Sequence, residues 1–202
     1  MTQLGLFDAP LSLIEGERGT VTYQPGLLSP VQADAYFSVL RDGVDWHSQR
    51  RVMYEREVDV PRLTAHFRLH REAGGAVDGV TEDAFEILCD IASRVSEEVH
   101  ASFNSAGLNF YRDGNDSVAP HNDRLQELVA GEPIALLSLG ATRRMLIRSK
   151  RAGEPAVPID LAAGSLLVMS YASQHHFTHG IAKTRVVVGP RISVAFRVRP
   201  VE

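Results

Sequence analysis

Two histidines and one aspartate have the residue types and spacing that can bind a divalent metal. His121 and Asp123 are two positions apart and follow the turn sequence DGNDSVAP, and His179 lies on a later predicted strand. Two imidazoles and a carboxylate can occupy one face of an octahedral iron, which leaves three positions for a bidentate cosubstrate and dioxygen. An H-x-D pair by itself is common, so the interpretation depends on the residues around it.

The last predicted strand places arginines on a face of their own. Side chains alternate between the two faces of a strand, so RISVAFR (191–197) separates its apolar residues from Arg191, Ser193 and Arg197. A guanidinium inside a β-barrel is costly unless an anion accompanies it. If these arginines point inward, they predict a dicarboxylate ligand such as 2-oxoglutarate. The alternative is a solvated polar face.

A second strand offers hydrogen-bonding groups in the same pattern. In the sequence LNFY, Asn109 and Tyr111 point to one face while Leu108 and Phe110 point to the other. An amide and a phenol can both hydrogen-bond an oxoacid. Alone, the pair is uninformative; beside the arginines, it is consistent with a cosubstrate pocket.

Two helices and a set of short strands must position these residues. Ser29 and Pro30 are typical of a helix start, and Thr81 precedes a second helix whose apolar stripe runs through residues 85–99. Residues 1–28 read as an arm or edge strand, and residues 44–75 suggest hairpins. After Phe103 come six predicted strands separated by turns: LNFYR, PIALLSL, RRMLIRS, GSLLVMSY, HHFTHGI and RISVAFRV. The predicted class is α+β, with the strands forming a closed or two-sheeted jelly roll.

Composition limits the setting of the protein. The chain has 202 residues, with 21 Lys and Arg against 25 Asp and Glu, for a net charge of -4. This length suits one domain, and the charge excludes a strongly basic protein that coats nucleic acid. The sequence has no apolar run of about 20 residues, so we expect no membrane span. Acidic residues near the start argue against a signal peptide, and the lone Cys89 excludes an internal disulfide, so we expect a cytoplasmic protein.

Four segments resemble, in order and spacing, the AlkB-like family of Fe(II)/2-oxoglutarate dioxygenases. They are LNFYRDGNDSVAPHND, PIALLSLGATRRMLIRSK, GSLLVMSYASQHHFTH and PRISVAFR, which run from about Phe103 to Arg199, with a weaker match at VPRLT (60–64). The resemblance implies a double-stranded β-helix core at 103–199, preceded by an extension (1–102) with helices and a β-hairpin lid, in one domain spanning 1–202. It also implies Fe(II) as the metal, with 2-oxoglutarate and O2 as cosubstrates.

The resemblance assigns roles to the residues singled out above. The iron ligands it implies are His121, Asp123 and His179, and the cosubstrate contacts are Asn109, Tyr111, Arg191, Ser193 and Arg197. Arg191 would pair with the distal carboxylate, and Arg197 would lie near the chelating end and Asp123. His175 and His176 compete for the third ligand position, and His175 is the stronger rival because strand alternation places it on the same face as His179.

The implied reaction is oxidative demethylation of alkylated nucleobases in DNA or RNA, by C–H hydroxylation and release of formaldehyde. An enzyme of this kind must hold a base outside its stack. The segment 50–71 mixes arginines with aromatic residues and can form such a lid, although its acidic residues also fit a solvated hairpin. The predicted substrate contacts are Met53, Tyr54, Arg62, Phe67 and Leu125. A second basic stretch, residues 143–151, is either a phosphate contact or an exposed turn.

Other functions stay open at this point. Leu125 stands where repair members of the family usually carry acidic residues, so the same oxidation on a protein, lipid or small molecule is the alternative. A non-catalytic iron or 2-oxoglutarate sensor is a third interpretation. We expect a monomer with no membrane association and no obligate protein partner.

Overall fold

The computed structural model describes residues 10–53, 56–70 and 77–201. More of these residues lie in strands than in helices. The described elements, in chain order, are β1 (Leu11–Ile14), β2 (Val21–Gln24), α1 (Pro30–Gly43), β3 (His47–Met53), β4 (Arg56–Arg68), α2 (Glu82–Val99), β5 (Ser105–Tyr111), β6 (Val118–His121), β7 (Ile134–Gly140), β8 (Arg143–Ser149), β9 (Val157–Leu161), β10 (Leu166–Met169), α3 (Ser173–His176), β11 (Phe177–Ile181) and β12 (Arg191–Arg197). A short 3-10 turn at Leu125–Glu127 lies between β6 and β7.

Two antiparallel sheets form the jelly-roll core. The major sheet has the order β1-β2-β10-β7-β12-β5-β4-β3, and the minor sheet has the order β6-β11-β8-β9. One buried cluster, which includes Leu136, Met145 and Ala195, brings together side chains of both sheets. The other cluster joins the opposite face of the major sheet to the helices. This architecture confirms the predicted α+β jelly roll.

Both predicted helices form where their caps indicate. The Ser29 side chain accepts a hydrogen bond from the Gln32 backbone N–H, and the Gln32 side chain accepts one from the Ser29 backbone N–H, which forms a capping box. Thr81 caps α2, whose buried stripe includes Phe85, Leu88 and Ile91. Burying each such side chain contributes about 1.5–3 kcal/mol, so the stripe fixes α2 against the major sheet. No helix among the described residues is long and apolar enough to cross a bilayer.

Two strands and one turn differ from the sequence prediction. β6 and β9 were not predicted, because both are short, partly exposed and contain a proline, Pro120 or Pro158, which weakens any strand pattern. The predicted strand HHFTHGI forms only from Phe177 onward, because residues 173–176 make the α3 turn. His175 therefore does not share the alternation of β11.

The predicted lid is largely part of the major sheet. β4 pairs with β5 from Leu63↔Phe110 to Arg68↔Ser105 and with β3 on its other side. Phe67 was predicted to contact substrate, but it is buried among core residues that pack toward the helices, on the strand face opposite Thr64 and His66. Tyr54 lies outside the described residues, and Met53 is the last residue of β3.

The loop between β5 and β6 is held by a buried carboxylate. Asp116 accepts hydrogen bonds from the backbone N–H, Nε and Nη2 of Arg112, each at 2.8 Å. Burial alone would raise the pKa of Asp116, but hydrogen bonds from Arg112 and the charges of Arg112 and Arg143 lower it below the ordinary value of 3.8. The ionised carboxylate therefore stabilises the loop that separates Asn109 from His121.

We expect Asp116→Ala to destabilise the fold by about 1–3 kcal/mol, because it removes charge-assisted hydrogen bonds from a buried group. The pKa is lower in the folded state, so this stabilisation is present above pH 3.8 and is lost as the pH falls below that value. Urea unfolding from pH 7 to pH 3 measures both effects. Asp113→Asn, at an exposed position in the same loop, is the control. Equal stability of the two variants would contradict the assignment.

Candidate active site

The predicted metal ligands converge between two strands of the minor sheet. β6 and β11 are antiparallel neighbours, and their register places His121 opposite His179. Asp123 follows two residues after the end of β6. One possible ligand atom from each of the three residues lies within 4.8 Å of the other two. This donor set, two imidazoles and one carboxylate, fits Fe(II).

The two imidazoles are prepared to donate lone pairs. Burial, followed by the nearby His121, lowers the pKa of His179 to about 3, so its ring is neutral. The Nδ1 of His121 lies 2.9 Å from the Ala119 carbonyl oxygen, an arrangement in which the N–H donates and Nε2 keeps its lone pair. A neutral imidazole is the form that binds a metal.

Asp123 is held ionised by Arg197. The guanidinium donates from Nε to Oδ2 at 2.9 Å and from Nη2 to Oδ1 at 3.0 Å. Burial favours a raised pKa for Asp123, but the charge and hydrogen bonds of Arg197, together with His179 and His121, lower the pKa overall. Arg197 thus lies beside Asp123, as the family resemblance implied.

Arg191 is a fully buried cation with unused donors. Its Nη2 donates to Ser138 Oγ at 2.9 Å, and its guanidinium lies 5.2 Å from the centre of the Tyr111 ring. Within the described structure, its Nε and Nη1 have no hydrogen-bond partner. Burial lowers the pKa of Arg191 to about 10. A buried cation with two orphaned N–H groups fits a carboxylate ligand, so the pocket suits 2-oxoglutarate.

The register of three strands gathers the predicted cosubstrate residues. Tyr111 lies opposite Arg191, and Asn109 lies opposite Ser193, whose other neighbour on β7 is Ser138. Strand alternation therefore placed these side chains on one face, as expected. Sequence reasoning missed Ser138. A lone polar residue in the apolar strand IALLSL was the available signal.

Arg62 holds one of these cosubstrate residues, Asn109, in place. Its Nε donates to Asn109 Oδ1 at 2.6 Å, and its Nη1 lies 3.4 Å from the Ser117 carbonyl oxygen. The carbonyl end of the Asn109 amide is thereby engaged, and its NH2 group is left to donate. Arg62 was predicted to contact substrate; these two hydrogen bonds link it instead to Asn109 and to the loop before β6.

His66 faces the site, although no motif or spacing in the sequence indicates a role for it. Thr64 pairs with Asn109 and His66 with Gly107, so alternation places both on the site face of β4. A β-carbon at Gly107 would lie 3.0 Å from Arg197 Nη1 and 3.2 Å from His66 Nδ1. His66 is solvent-exposed, yet partial burial and then the charges of Arg197, Arg199 and Arg62 lower its pKa. The imidazole is therefore neutral at neutral pH.

Leu125, His175 and His176 do not take the places at the site that the sequence suggested for them. Leu125 is half-buried and packs against the apolar cluster between the sheets. Glu127, in the same 3-10 turn, accepts hydrogen bonds from Arg124 and Arg199, each at 3.0 Å. It is the acidic group of this segment, which the sequence analysis overlooked. His175 and His176 are exposed on α3 and are not part of the ligand cluster.

The basic stretch 143–151 is mostly committed to the fold. Arg143 is buried and donates to the carbonyl oxygens of residues 113, 116 and 182 at 2.8–2.9 Å. Arg144 forms a bidentate ion pair with Asp160. Lys150 donates to the Gln174 carbonyl oxygen. Arg148 and Arg151 are exposed, so among the cations of this stretch they are the best placed to contact a phosphate.

Comparison with curated proteins gives matches over most of the chain. DNA oxidative demethylase ALKBH2 from Homo sapiens is 36% identical over 186 residues, which cover 85% of this chain and 70% of that protein. Alpha-ketoglutarate-dependent dioxygenase alkB homolog 3 from Mus musculus is 31% identical over 205 residues, covering 96% and 70%. ALKBH2 from Bos taurus is 36% identical over 118 residues, and this match spans 55% of this chain and 42% of that protein.

Two solved structures share the fold. That of OsALKBH1 has a TM-score of 0.55 at 18% identity and covers 88% of this chain and 97% of that chain. An oxidoreductase of the 2OG-Fe(II) oxygenase family from Burkholderia pseudomallei has a TM-score of 0.57 at 12% identity, covering 88% and 84%. The profile of the 2OG-Fe(II) oxygenase superfamily matches residues 20–197. The chain therefore belongs to the AlkB-like members of this superfamily and is an Fe(II)- and 2-oxoglutarate-dependent dioxygenase.

Proposed function

We propose that this dioxygenase demethylates alkylated nucleobases in DNA or RNA. The observation that carries the proposal is a neutral, exposed imidazole, His66, on the same sheet face as the Asp123-bound Arg197. A flat ring beside a buried oxidising site is what an extruded base requires. Relatives at 31–36% identity include proteins named as DNA oxidative demethylases, which supports the same substrate class.

In this proposal the chain's residues divide into three groups. His121, Asp123 and His179 hold Fe(II), and Arg191, Ser193, Tyr111, Asn109 and Arg197 hold 2-oxoglutarate. When bound, the metal with its cosubstrate and O2 supplies the oxidant for a C–H bond. The protein keeps His179 neutral and Asp123 ionised, the forms that bind metal, and its arginines would neutralise the cosubstrate carboxylates.

The surroundings of His66 suit a polynucleotide more than an isolated base. Arg62, His66 and Arg68 share the site face of β4, and the charges of Arg197 and Arg199 also act on His66. Arg68 is exposed. Arg68 can therefore contact a phosphate next to the target base, so the net charge of -4 does not prevent local binding of nucleic acid.

The neutral state of His66 matches the charge of the substrate. Bases methylated at N1 of adenine or N3 of cytosine carry a positive charge, and a protonated imidazole would repel them. Burial, followed by the charges of Arg197, Arg199 and Arg62, lowers the pKa of His66 and keeps the ring neutral, so its face can stack on a cationic base.

The test is formaldehyde release from oligonucleotides that contain 1-methyladenine or 3-methylcytosine. We expect iron-loaded protein with 2-oxoglutarate to release formaldehyde and restore the unmodified base. Single-stranded and duplex substrates are compared in parallel. Succinate formation without turnover of either base, in either strand form, would overturn the proposal and favour a protein, lipid or small-molecule substrate.

We expect His66→Ala to weaken use of the oligonucleotide without affecting the iron site. Base stacking on an aromatic side chain contributes about 1–3 kcal/mol, so kcat/KM for the oligonucleotide should fall by about 5- to 150-fold. Succinate formation in the absence of nucleic acid should stay unchanged, and His66→Phe should restore most of the loss. If His66→Ala retains full kcat/KM, His66 does not contact the base.

A further inference from the structure

Gln174 is a buried polar residue that is neither a predicted metal ligand nor a cosubstrate contact. It lies in α3, five residues before His179, and only 2% of its surface is exposed. Its Oε1 accepts a hydrogen bond from the backbone N–H of Asp123 at 3.0 Å. This bond joins the two chain segments that carry the ligand cluster, residues 121–123 and 173–179.

The orientation of the Gln174 amide is fixed from its other side. Its Nε2 lies 3.3 Å from Ser173 Oγ and 3.7 Å from Met169 Sδ. Lys150 anchors the same turn to the end of β8, because its Nζ donates to the backbone carbonyl oxygen of Gln174 at 3.0 Å. The side-chain NH2 group of Gln174 is thus directed toward the turn, and the side-chain oxygen Oε1 is directed toward Asp123.

Asp123 has few other restraints on its backbone. β6 ends at His121, so Asp123 lies beyond the strand ladder. Arg197 holds its carboxylate, and Gln174 accepts its backbone N–H. Since that N–H is buried, loss of the acceptor would leave it unsatisfied, and the segment would have to shift to find another partner.

We propose that Gln174 is a positioning residue for the metal site, which acts by holding Asp123 in register with His179. Partners of this kind orient the groups that bind a metal, and their loss typically weakens metal affinity about 10- to 100-fold. The proposal concerns the iron site of the enzyme and does not depend on which substrate is oxidised.

The test compares three variants by titrating metal-free protein with Co(II) and following the absorbance of the bound ion. Gln174→Leu keeps the volume but removes the acceptor, and we expect it to weaken Co(II) affinity about 10- to 100-fold. Gln174→Glu keeps an oxygen that can accept the Asp123 N–H, and we expect it to bind Co(II) at least as tightly as the unmodified chain. Lys150→Met is the control, since it disturbs the same turn without touching Asp123.

The variants also separate positioning from simple loss of stability. A merely structural role would lower metal affinity in Gln174→Glu as much as in Gln174→Leu, and this result would overturn the proposal. Undiminished Co(II) binding by Gln174→Leu would overturn it as well. If Gln174→Leu fails to fold, Gln174→Glu decides, because the proposal requires the glutamate variant to keep full Co(II) affinity, and a loss of affinity there that Lys150→Met does not show would overturn it.

Discussion

Replacing His179 with alanine is expected to abolish succinate formation from 2-oxoglutarate. His179 is buried opposite His121, and its neutral ring is one of only two imidazoles in the described ligand cluster. Loss of a partner outside the ligand set already costs about 10- to 100-fold in affinity or activity, so loss of a ligand should cost more than 100-fold. Succinate production and Mn(II) binding to metal-free protein measure the effect independently.

His175→Ala is the matched control for this variant. His175 is four residues away in the chain, and its exposed ring contacts Tyr171 at 5.7 Å between ring centres. It lies on the α3 turn, outside the ligand cluster. We expect this variant to retain metal binding and turnover. If His175→Ala loses Mn(II) while His179→Ala keeps it, the ligand assignment is reversed.

Arg191→Met is expected to weaken 2-oxoglutarate binding strongly while leaving the metal-free protein at least as stable. The guanidinium is fully buried, and two of its N–H groups have no partner among the described residues. Truncating one partner of a buried charge pair costs at least about 2 kcal/mol, so affinity for 2-oxoglutarate should fall about 30-fold or more. The KM for 2-oxoglutarate should rise accordingly.

The stability change should have the opposite sign from that of an ordinary core mutation. Without cosubstrate, a desolvated cation opposes folding, and its replacement by an apolar side chain of similar length is neutral or stabilising by up to about 4 kcal/mol. Thermal unfolding without 2-oxoglutarate measures the stability of the variant, and unfolding with 2-oxoglutarate measures its binding, because a ligand stabilises only the protein that binds it.

Arg144→Met provides the comparison for this second variant. Arg144 pairs with Asp160 at the surface, and both side chains are more than half exposed. Its loss should change neither the thermal shift caused by 2-oxoglutarate nor the KM. A normal 2-oxoglutarate thermal shift in Arg191→Met would contradict the assignment of the buried arginine as the carboxylate partner.

Much of the site could be predicted because it depends on local strand geometry. Alternation in RISVAFR places Arg191 and Arg197 on one face of their strand, and alternation in LNFY places Asn109 and Tyr111 on one face of theirs. This grouping holds whichever strands become neighbours, but only the tertiary structure shows that the shared face is the buried one. The helices were equally local, since Ser29 and Thr81 carry their own capping signals. The order of the four family-like segments then indicated the iron and cosubstrate chemistry.

The tertiary structure alone decided which distant residues complete the site. Ser138 reaches Arg191, Arg62 reaches Asn109, and Gln174 reaches the backbone of Asp123, each across more than 40 residues of sequence. Such contacts depend on the order and register of paired strands, which no local pattern contains. The same physical reason explains where the structure differs from expectation. Pairing of β4 with β5 places Phe67 in the core and His66 on the site face, and a helical turn takes His175 off the strand face.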